Sequence, residues 1–425
     1  MPHPRTLELS GLAGRWFRAA EHAIYCEDGA ATMTHDRSNE YKETSRTRSG
    51  RTARHLSAKI EFLRINLKRG GSLAMNVTSV GLDLAKTVFA VCAIGGDGLA
   101  SERRELRREG LMHWLARLPK GCLVGLEACG SAHHWARRMV ELGLEPRIMP
   151  AEFVEPYRKS RSMKNDRNDA EAIALAVREA SMRFVAVKSP EQQARLSRHR
   201  MREGWKEERT ALINRIRGLL AEFGVIYPRS SSLLRKGLAE AVHDGRLPQA
   251  VRELAAWARE DLARLDERIA LCDRSIGLAC RGDEAAARLQ QVMGVGPTTA
   301  DAVIATVGDA RTFRNGRQFA AWLGLVPRQY SSGGKSRLGA ITRRGDAYLR
   351  TLLVQGARST LKFALRRAPE KLSRQERWAR DLHGRAGYHK TLIAIANKNA
   401  RVLWALLARE EHYNPEAWRS CDAAA

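Results

Sequence analysis

The sequence predicts an α/β domain followed by a longer and mostly helical region. Between residue 75 and about residue 185, short apolar runs alternate with amphipathic helical sequence, which is the pattern of an α/β sheet domain. From about residue 186, apolar residues recur mainly at spacings of three and four, which indicates long helices. A chain of 425 residues is long enough for two or three domains, each with its own core.

The first 74 residues differ from the rest of the chain. They are polar and rich in Arg and Ser, show no sustained periodicity and end in the flexible stretch KRGGSLA. Met75 follows, directly before a strong strand pattern, VTSVGLDLA. We therefore expect residues 1–74 to be a disordered arm, or an extension upstream of the natural start, and to be dispensable.

Residues 75–185 have the element order of an RNase H-like core, in which three antiparallel strands precede alternating helices and strands. The predicted strands cover residues 79–84, 88–94, 99–106, 122–126 and 146–149. Helices are predicted at 110–118 and 132–142, and helical sequence resumes at Ala151.

Residues 186–285 are predicted to form a helical, coiled-coil linker. In its second half a heptad row is formed by Val251, Ala255, Ala258, Leu262, Leu265, Ile269, Cys272 and Ile276. A similar row in the first half, interrupted by Arg209, consists of Trp205, Leu212, Ile216, Leu219 and Phe223. Two such helices, with Pro228 between them, predict an antiparallel hairpin or the arm of a homo-oligomer (dimer or tetramer). A helical pair packed on its own domain is an equal alternative.

Residues 286–410 form the last predicted unit, which is mostly helical, and residues 411–425 are expected to be a loose tail. The segment LQQVMGVGPTTADAVIATVGD is typical of helix, tight turn and helix. Gly294 and Gly296 would let the turn approach a phosphate, and the next helix begins with free N–H groups. This predicts a helix-hairpin-helix element that binds nucleic acid, with packing alone as the alternative.

The charge of the chain points to a nucleic-acid partner. There are 73 Lys and Arg residues against 47 Asp and Glu, a net charge of +26, and the Arg guanidinium pairs well with phosphate. An Arg-rich genome would explain Arg in place of Lys, but not the excess of base over acid. The seven cysteines form no CxxC pair, which favours reduced thiols over disulfides or a zinc site. With no membrane-length apolar run and no signal-peptide pattern, we expect a cytoplasmic protein without a membrane partner.

Four acidic residues are candidates for a metal site. Asp83 lies within the first predicted strand and Glu127 closes the fourth, which is its neighbour in an RNase H-like sheet. Asp166 and Asp169 are three residues apart and share one face of a helix. Together they could hold two Mg²⁺ (or Mn²⁺) ions about 4 Å apart and activate a phosphodiester for cleavage. Taken singly, each acid could instead be a turn, edge or helix-capping residue.

A second candidate site lies in GLVPRQYSSGGKSRLGAITRRGDAYLR. Ser331 and Ser332 precede two glycines, and the cations that surround them are Arg328, Lys335, Arg337, Arg343 and Arg344. These cations would neutralise phosphate. No His lies nearby in the sequence, which argues against a hydrolase triad. By itself the motif is more typical of a phosphate-binding or flexible loop.

These motifs, taken in order, resemble the DEDD transposases of bacterial insertion sequences. The resemblance rests on VGLDLAKTVFAVCAI, GLEACGSAHHWARRM, KNDRNDAEAIALA, RTALINRIRGLLAEFG, GVGPTTADAVIA and GLVPRQYSSGGK with RRGDAYLRTLL. It points to the insertion sequence 110 family, which includes the Piv-type invertases, and to its 1111 group. The resemblance covers residues 76 to about 410.

The resemblance implies a RuvC-like domain with the tetrad Asp83, Glu127, Asp166 and Asp169, a coiled-coil linker and a C-terminal domain with a nucleophilic serine. It assigns that serine to Ser331, with Ser332 as the close rival. It also implies a structured guide RNA that pairs with donor and target DNA. The alternatives are a Holliday-junction-resolving nuclease, which uses the tetrad and a metal-bound water only, and a non-catalytic nucleic-acid-binding protein.

Overall fold

The structure, a computed structural model, describes residues 77–158 and 166–415. The expectations for residues 1–74, for Met75 and for positions 416–425 of the tail lie outside the described residues. The described residues belong to one compact unit, and the domain ranges given above stay a prediction.

A five-stranded mixed sheet forms the first part of the fold. Its strands are β1 (Val77–Asp83), β2 (Val88–Gly95), β3 (Ala100–Arg107), β4 (Leu123–Glu127) and β5 (Glu145–Met149). The spatial order is β3-β2-β1-β4-β5. The strand pairs β1–β2 and β2–β3 are antiparallel, whereas the pairs β1–β4 and β4–β5 are parallel. This is the predicted RNase H-like order, and every predicted strand is present within two residues of its expected bounds.

Helices cover both faces of the sheet. They are α1 (Arg108–Leu115), α2 (Ala132–Glu141), the short α3 (Ala151–Val154) and α4 (Asp166–Ala176). Trp114 of α1 and Trp135 of α2 pack in the core on one face. Ala170 and Ala174 of α4 pack against Cys92 on the other. Because successive strand residues point to opposite faces, the apolar strand β2 contributes to both cores.

Three helices form the predicted linker. They are α5 (Pro190–Ala221), α6 (Ser231–Ala241) and α7 (Gln249–Arg281). The side chains of Ser189 and Gln192 form a capping box that begins α5. All eight residues of the heptad row on α7 are buried, and α5 and α6 supply the side chains of the core around its first half. The two long helices run antiparallel, since Arg202 pairs with Asp273 and the later Arg209 with the earlier Asp266. The heptad row of α7 is therefore buried by contacts within one chain, as expected for an antiparallel hairpin.

The remainder is a helical bundle with one two-stranded ribbon. The helices are α8 (Glu284–Gln290), α9 (Pro297–Val307), α10 (Gly316–Trp322), α11 (Ala347–Arg366), α12 (Arg374–Ala386) and α13 (Tyr388–Ala408). Between α10 and α11, β6 (Pro327–Ser332) and β7 (Lys335–Ile341) pair antiparallel. The serine motif, expected as a loop, is thus the end of a β-hairpin.

A buried polar network joins α5 to this bundle. The His199 ring is 1% exposed, and its nitrogens lie 2.8 Å from Asp301 Oδ2 on α9 and 2.9 Å from the Tyr348 hydroxyl on α11. Arg195 Nε donates to Asp301 Oδ1 at 2.6 Å, and Arg195 also pairs with Asp283 at 2.9 Å. Since buried charges need partners, this network connects the start of α5 to both helices.

Of the helices in the described residues, none has the length and apolar character needed to cross a membrane.

Candidate active site

Asp83 and Glu127 lie side by side at one edge of the sheet. Each is the last residue of its strand, and the preceding residues Leu82 and Leu126 are partners in the parallel β1–β4 pairing. Asp83 therefore ends β1 and does not lie in its middle, as the sequence had suggested. Because the carboxyl ends of parallel strands meet at the same edge, both carboxylates face the same region.

Two glycines bring α4 directly against this edge. Gly81 and Gly125 are partners in register and lie two residues before Asp83 and Glu127. A Cβ at Gly81 would overlap backbone atoms of Ala170 and Ala174, and a Cβ at Gly125 would lie 2.9 Å from side-chain atoms of Ile173 and Val177. Only glycine permits this approach. It places the first turn of α4 beside the strand ends.

The first turn of α4 carries the other two acids of the tetrad. Asp166 is its first residue and is exposed, whereas the Asp169 side chain is only 7% exposed. Cys129, just past β4, is an exposed residue, yet the pKa of its thiol is raised to about 11, first by partial loss of solvation and then by the charges of Asp83 and Glu127. The charges of Asp83 and Glu127 thus both act on the Cys129 thiol, and α4 adds Asp169 to the same edge of the sheet.

Arg158 lies between two of these acids, and no sequence motif predicts it. Its Nη2 donates to Glu127 Oε1 at 3.2 Å, and its Nε lies 2.9 Å from Asp169 Oδ1. It follows β5, α3 and a 3₁₀ turn at Glu155–Tyr157, so the chain reaches it from the same sheet edge. The guanidinium links the end of β4 to the first turn of α4.

The acids suit a divalent cation by type and by position. Oxygen ligands are those that Mg²⁺ and Mn²⁺ prefer, and Asp169 Oδ1 is buried without a hydrogen-bond partner. In the part of the chain that the structure describes, no three His, Cys, Asp or Glu side chains are already arranged to hold a metal ion. At this edge Glu127 and Asp169 are both paired with Arg158.

The glycines of the helix–turn–helix segment have different surroundings. Gly294 has φ +86°, and a Cβ there would lie 2.6 Å from the Gly356 carbonyl oxygen and 2.7 Å from Thr360 Oγ1 on α11. Close packing inside the bundle therefore explains Gly294. Gly296 is exposed, with open space around it, and precedes the first turn of α9. Phosphate binding by the two glycines stays a prediction, and Gly296 is the better placed of them.

The serine motif forms the tip of an exposed hairpin. Every residue from 327 to 340 is exposed. Gly333 and Gly334 form the two-residue turn, with φ +57° and +77°, as a type I′ turn requires. Ser331 pairs with Ser336, and Ser332 pairs with Lys335. The glycines are thus needed for the turn itself.

The two serines lie on opposite faces of this ribbon, because side chains alternate along a strand. On Ser331's face, its Oγ accepts a hydrogen bond from Gln329 Nε2 at 2.8 Å. Ser332 shares the other face with Lys335, and by register with Tyr330 and Arg337. Arg328 also lies on that second face by alternation. Most of the cations of the motif therefore surround Ser332.

The remaining two predicted cations lie at the base of the ribbon. Arg343 has φ +57°, and its backbone N–H donates to the Gly324 carbonyl. The Arg344 carbonyl accepts from Arg350 Nη1 at 3.0 Å. The side chains of Arg343 and Arg344 are exposed, whereas their backbone anchors the ribbon to the bundle.

The acids and the serines belong to different parts of the molecule. The carboxylates are framed by the cores of the mixed sheet, and the ribbon is attached to the core of the C-terminal bundle. The structure therefore brings Asp83, Glu127 and Asp169 to one edge of the sheet, whereas Ser331 and Ser332 lie on the ribbon of the C-terminal bundle.

Comparisons with known proteins agree with this two-part arrangement. Residues 80–225 match a family model for DEDD transposases of the IS110 type, described as "Transposase", and residues 286–372 match the model "Transposase IS116/IS110/IS902 family". A probable family 20 transposase of Pseudomonas aeruginosa is 48% identical over 344 residues, which cover 80% of this chain and 100% of that protein. The transposase for insertion sequence element IS1111A of Coxiella burnetii is 40% identical, over 80% of this chain and 92% of its own length. The transposase for insertion sequence element IS1328 of Yersinia enterocolitica is 35% identical, over 78% of this chain and 97% of its own length.

The matching family models and relatives are those of transposases, which are enzymes that cut and rejoin DNA. The RNase H-like sheet with carboxylates at its edge agrees with that class. This excludes the non-catalytic alternative. The chain belongs to the IS110 family of insertion-sequence transposases. The IS1111A transposase is one of the relatives of this chain. Its DEDD domain indicates dependence on a divalent metal ion.

Proposed function

We propose that this transposase cuts DNA with a Mg²⁺-dependent carboxylate site and a serine nucleophile from the β6–β7 ribbon, both acting on one phosphodiester. The observation that carries the proposal is the ribbon itself. Fourteen consecutive residues, 327–340, are exposed, and their tip presents two adjacent serines among cations. A packing role would bury some of these side chains, whereas a surface that enters a DNA groove needs them all accessible.

The carboxylate side of the site is assigned to Asp83, Glu127, Asp166 and Asp169, which would hold Mg²⁺ or Mn²⁺. A divalent ion bound there supplies charge stabilisation for the scissile phosphate and its leaving oxygen. The protein's part is to hold the acids at fixed positions, through the β1–β4 pairing and the close packing of α4 on Gly81 and Gly125.

Within the ribbon, strand alternation supports Ser332 as the nucleophile. The family resemblance assigns Ser331, but that Oγ lies on the face with Gln329 and accepts its hydrogen bond. Ser332 lies on the face that carries Lys335 and Arg337. Cations beside a hydroxyl stabilise its alkoxide and bind the phosphate that it attacks. We therefore propose Ser332, with Ser331 as the rival that the experiment distinguishes.

The chemical step conserves the number of phosphodiester bonds. Ser332 Oγ forms a bond to phosphorus, the bond from phosphorus to one nucleoside oxygen breaks, and the serine proton passes to solvent while the leaving oxygen takes one up. Attack by a hydroxyl of the other DNA then releases the serine and completes strand exchange. Lys335 and Arg337 neutralise the phosphate throughout.

Because the acids and the ribbon pack on different cores, we propose a homo-oligomer in which the acids of one protomer meet the ribbon of another. On α7, a second row of apolar side chains lies outside the buried heptad row. Trp257, Leu271 and Leu278 are 59%, 51% and 63% exposed and occur at multiples of seven residues. The heptad position between Trp257 and Leu271 is Arg264, so these three residues share one helix face without forming a continuous apolar seam. Large exposed apolar side chains grouped on one face favour contact with a partner. We propose that α7 pairs with another copy through this row.

The nucleic-acid partners proposed are donor DNA, target DNA and a guide RNA encoded by the element. The net charge of +26 supports binding to polyanions. The RNA is proposed from the family resemblance, with which the charge is compatible.

The second candidate function is cleavage by a water nucleophile at the carboxylates alone, as in a junction-resolving nuclease. The observation that favours it is the lack of a shared core between the acids and the ribbon. It predicts DNA cleavage without any covalent protein–DNA intermediate.

The test is to trap the intermediate on a nicked suicide substrate and to locate the adduct by mass spectrometry. We expect an adduct on Ser332, its loss in Ser332→Ala with DNA binding retained, and a smaller effect of Ser331→Ala. Ser336→Ala, which changes a serine on the opposite strand, is the matched control. An adduct on Ser331 would restore the assignment made by resemblance. Cleavage by both alanine variants without an adduct would refute the serine mechanism.

A further inference from the structure

Arg158, among the residues that the structure describes, pairs with two acids of the proposed metal site. Its guanidinium reaches Glu127 at 3.2 Å and Asp169 at 2.9 Å, from a side chain that is 23% exposed. The two acids are 18% and 7% exposed. Carboxylates this far from water need a compensating charge, and Arg158 supplies it.

The contact with Asp169 is, however, an incomplete one. Arg158 Nε and Asp169 Oδ1 are close enough for an ion pair, yet both atoms are buried without a hydrogen bond, because the N–H is not directed at the oxygen. A structural ion pair at this depth needs well-aligned hydrogen bonds to offset desolvation. Arg158 therefore neutralises Asp169 without satisfying its lone pair.

We propose that Arg158 is an exchangeable counter-cation, which holds Glu127 and Asp169 in place before metal binds and is displaced when a divalent ion takes the same two carboxylates. This inference rests on the proposed metal site. A guanidinium and a divalent ion cannot both occupy the space between the two carboxylates, so their binding is mutually exclusive and the arginine weakens apparent metal affinity by competition.

The experiment measures Mn²⁺ binding to the full-length protein by isothermal titration calorimetry, with the electron paramagnetic resonance signal of free Mn²⁺ as a second readout. Arg158→Met keeps a long side chain and removes the charge. We expect it to bind Mn²⁺ about tenfold more tightly than wild type, the scale expected when a partly buried ion pair is removed as competitor. The metal-free variant should melt at a lower temperature than wild type and should gain more from added Mn²⁺.

Arg158→Lys and Arg138→Met complete the design. Lysine keeps one charge but cannot pair with two carboxylates as the guanidinium fork does, so its Mn²⁺ affinity should lie between those of wild type and Arg158→Met, and it serves if the methionine variant folds poorly. Arg138 pairs with exposed Glu141 in the same domain, and its variant should bind Mn²⁺ as wild type does.

Two results would overturn the inference, and they can be told apart. If wild type binds Mn²⁺ and the charge-removing variant binds it equally or more weakly, Arg158 does not compete, and the proposed metal site stands. If neither protein binds Mn²⁺, or if Asp83→Asn binds it as tightly as wild type does, the metal site itself is wrong.

Discussion

Replacing Gly81 by alanine should displace the helix that carries two of the four acids. The added Cβ would lie 2.9 Å from Ala174 Cα and closer still to the Ala170 carbonyl oxygen. Both are backbone atoms of α4, so no side chain can rotate away. The same Cβ would lie 2.4 Å from Ala174 N and 2.0 Å from the Ala170 carbonyl oxygen. Reaching an ordinary contact of 3.4 Å therefore requires shifts of about 1.0 Å and about 1.4 Å at these atoms. Overpacking of this kind costs about 1–3 kcal/mol.

The functional loss should exceed what the loss of stability explains. A displacement of about 1 Å in a catalytic group can reduce the rate about 100-fold, and α4 carries Asp166 and Asp169. We therefore expect Gly81→Ala to remain folded at 25 °C, with a lower midpoint of urea denaturation, and to cleave DNA about 10- to 100-fold more slowly. DNA affinity should be retained, because the cations of the ribbon are untouched.

The matched control is Gly96→Ala in the turn after β2, where a Cβ meets open space. Urea denaturation and single-turnover cleavage should both give wild-type values for this variant. If Gly81→Ala matches wild type in both assays, α4 does not lie directly against β1, and the geometry given for the tetrad is incorrect.

Two further predictions concern the buried network and the nucleic-acid partners. Asp301→Ala removes the buried carboxylate that is shared by buried His199 and partly exposed Arg195. It should lower the free energy of unfolding by about 3–5 kcal/mol. Asp261→Ala, which removes an exposed pair with Arg264, should cost less than about 1 kcal/mol, and equal losses in urea denaturation would contradict the assigned role. Purified protein should carry RNA, and its nucleic-acid affinity, measured by fluorescence anisotropy, should fall by several orders of magnitude between about 50 and 200 mM salt. Recombination at full rate by nuclease-treated, RNA-free protein would exclude the guide RNA.

The elements that depend on local pattern could be predicted from the sequence. The strand order needed only the alternation of apolar runs and turns, and the buried row on α7 follows from its spacing of three and four. Asp83 was expected inside its strand because the apolar Leu84 follows it, whereas the strand ends at the acid. Glu127 at the end of β4 was predicted correctly.

The β-hairpin was missed although its signal is local. Two glycines between short segments, PRQYSS and KSRLGAI, are typical of a two-residue turn. The same two glycines also suit a flexible or phosphate-binding loop, so the motif alone does not distinguish the two structures. The structure gives both glycines positive φ angles, as a type I′ turn requires.

Other features depend on contacts between distant parts of the chain and have no local signal. Arg158 reaches Glu127, which is 31 residues away, and no spacing distinguishes it from the neighbouring Lys and Arg residues. Residue 294 must be a glycine because a Cβ there would overlap Gly356 and Thr360 on α11. Gly81 and Gly125 do have a signal in the sequence, because GLD and GLE occur at the ends of the two strands. This signal can be interpreted only once the strands are known to pair.

The most direct test of the central claim measures whether the ribbon serine forms its DNA adduct only when the carboxylate site holds metal. Adduct yield on the suicide substrate is compared for wild type in Mg²⁺, wild type in EDTA and Asp83→Asn in Mg²⁺, with DNA affinity measured in parallel. We predict that the adduct falls by about 100-fold or more without metal or without Asp83, while DNA binding persists. An adduct that forms undiminished in EDTA, or with Asp83→Asn, would contradict the account, because the serine would then act without the acids.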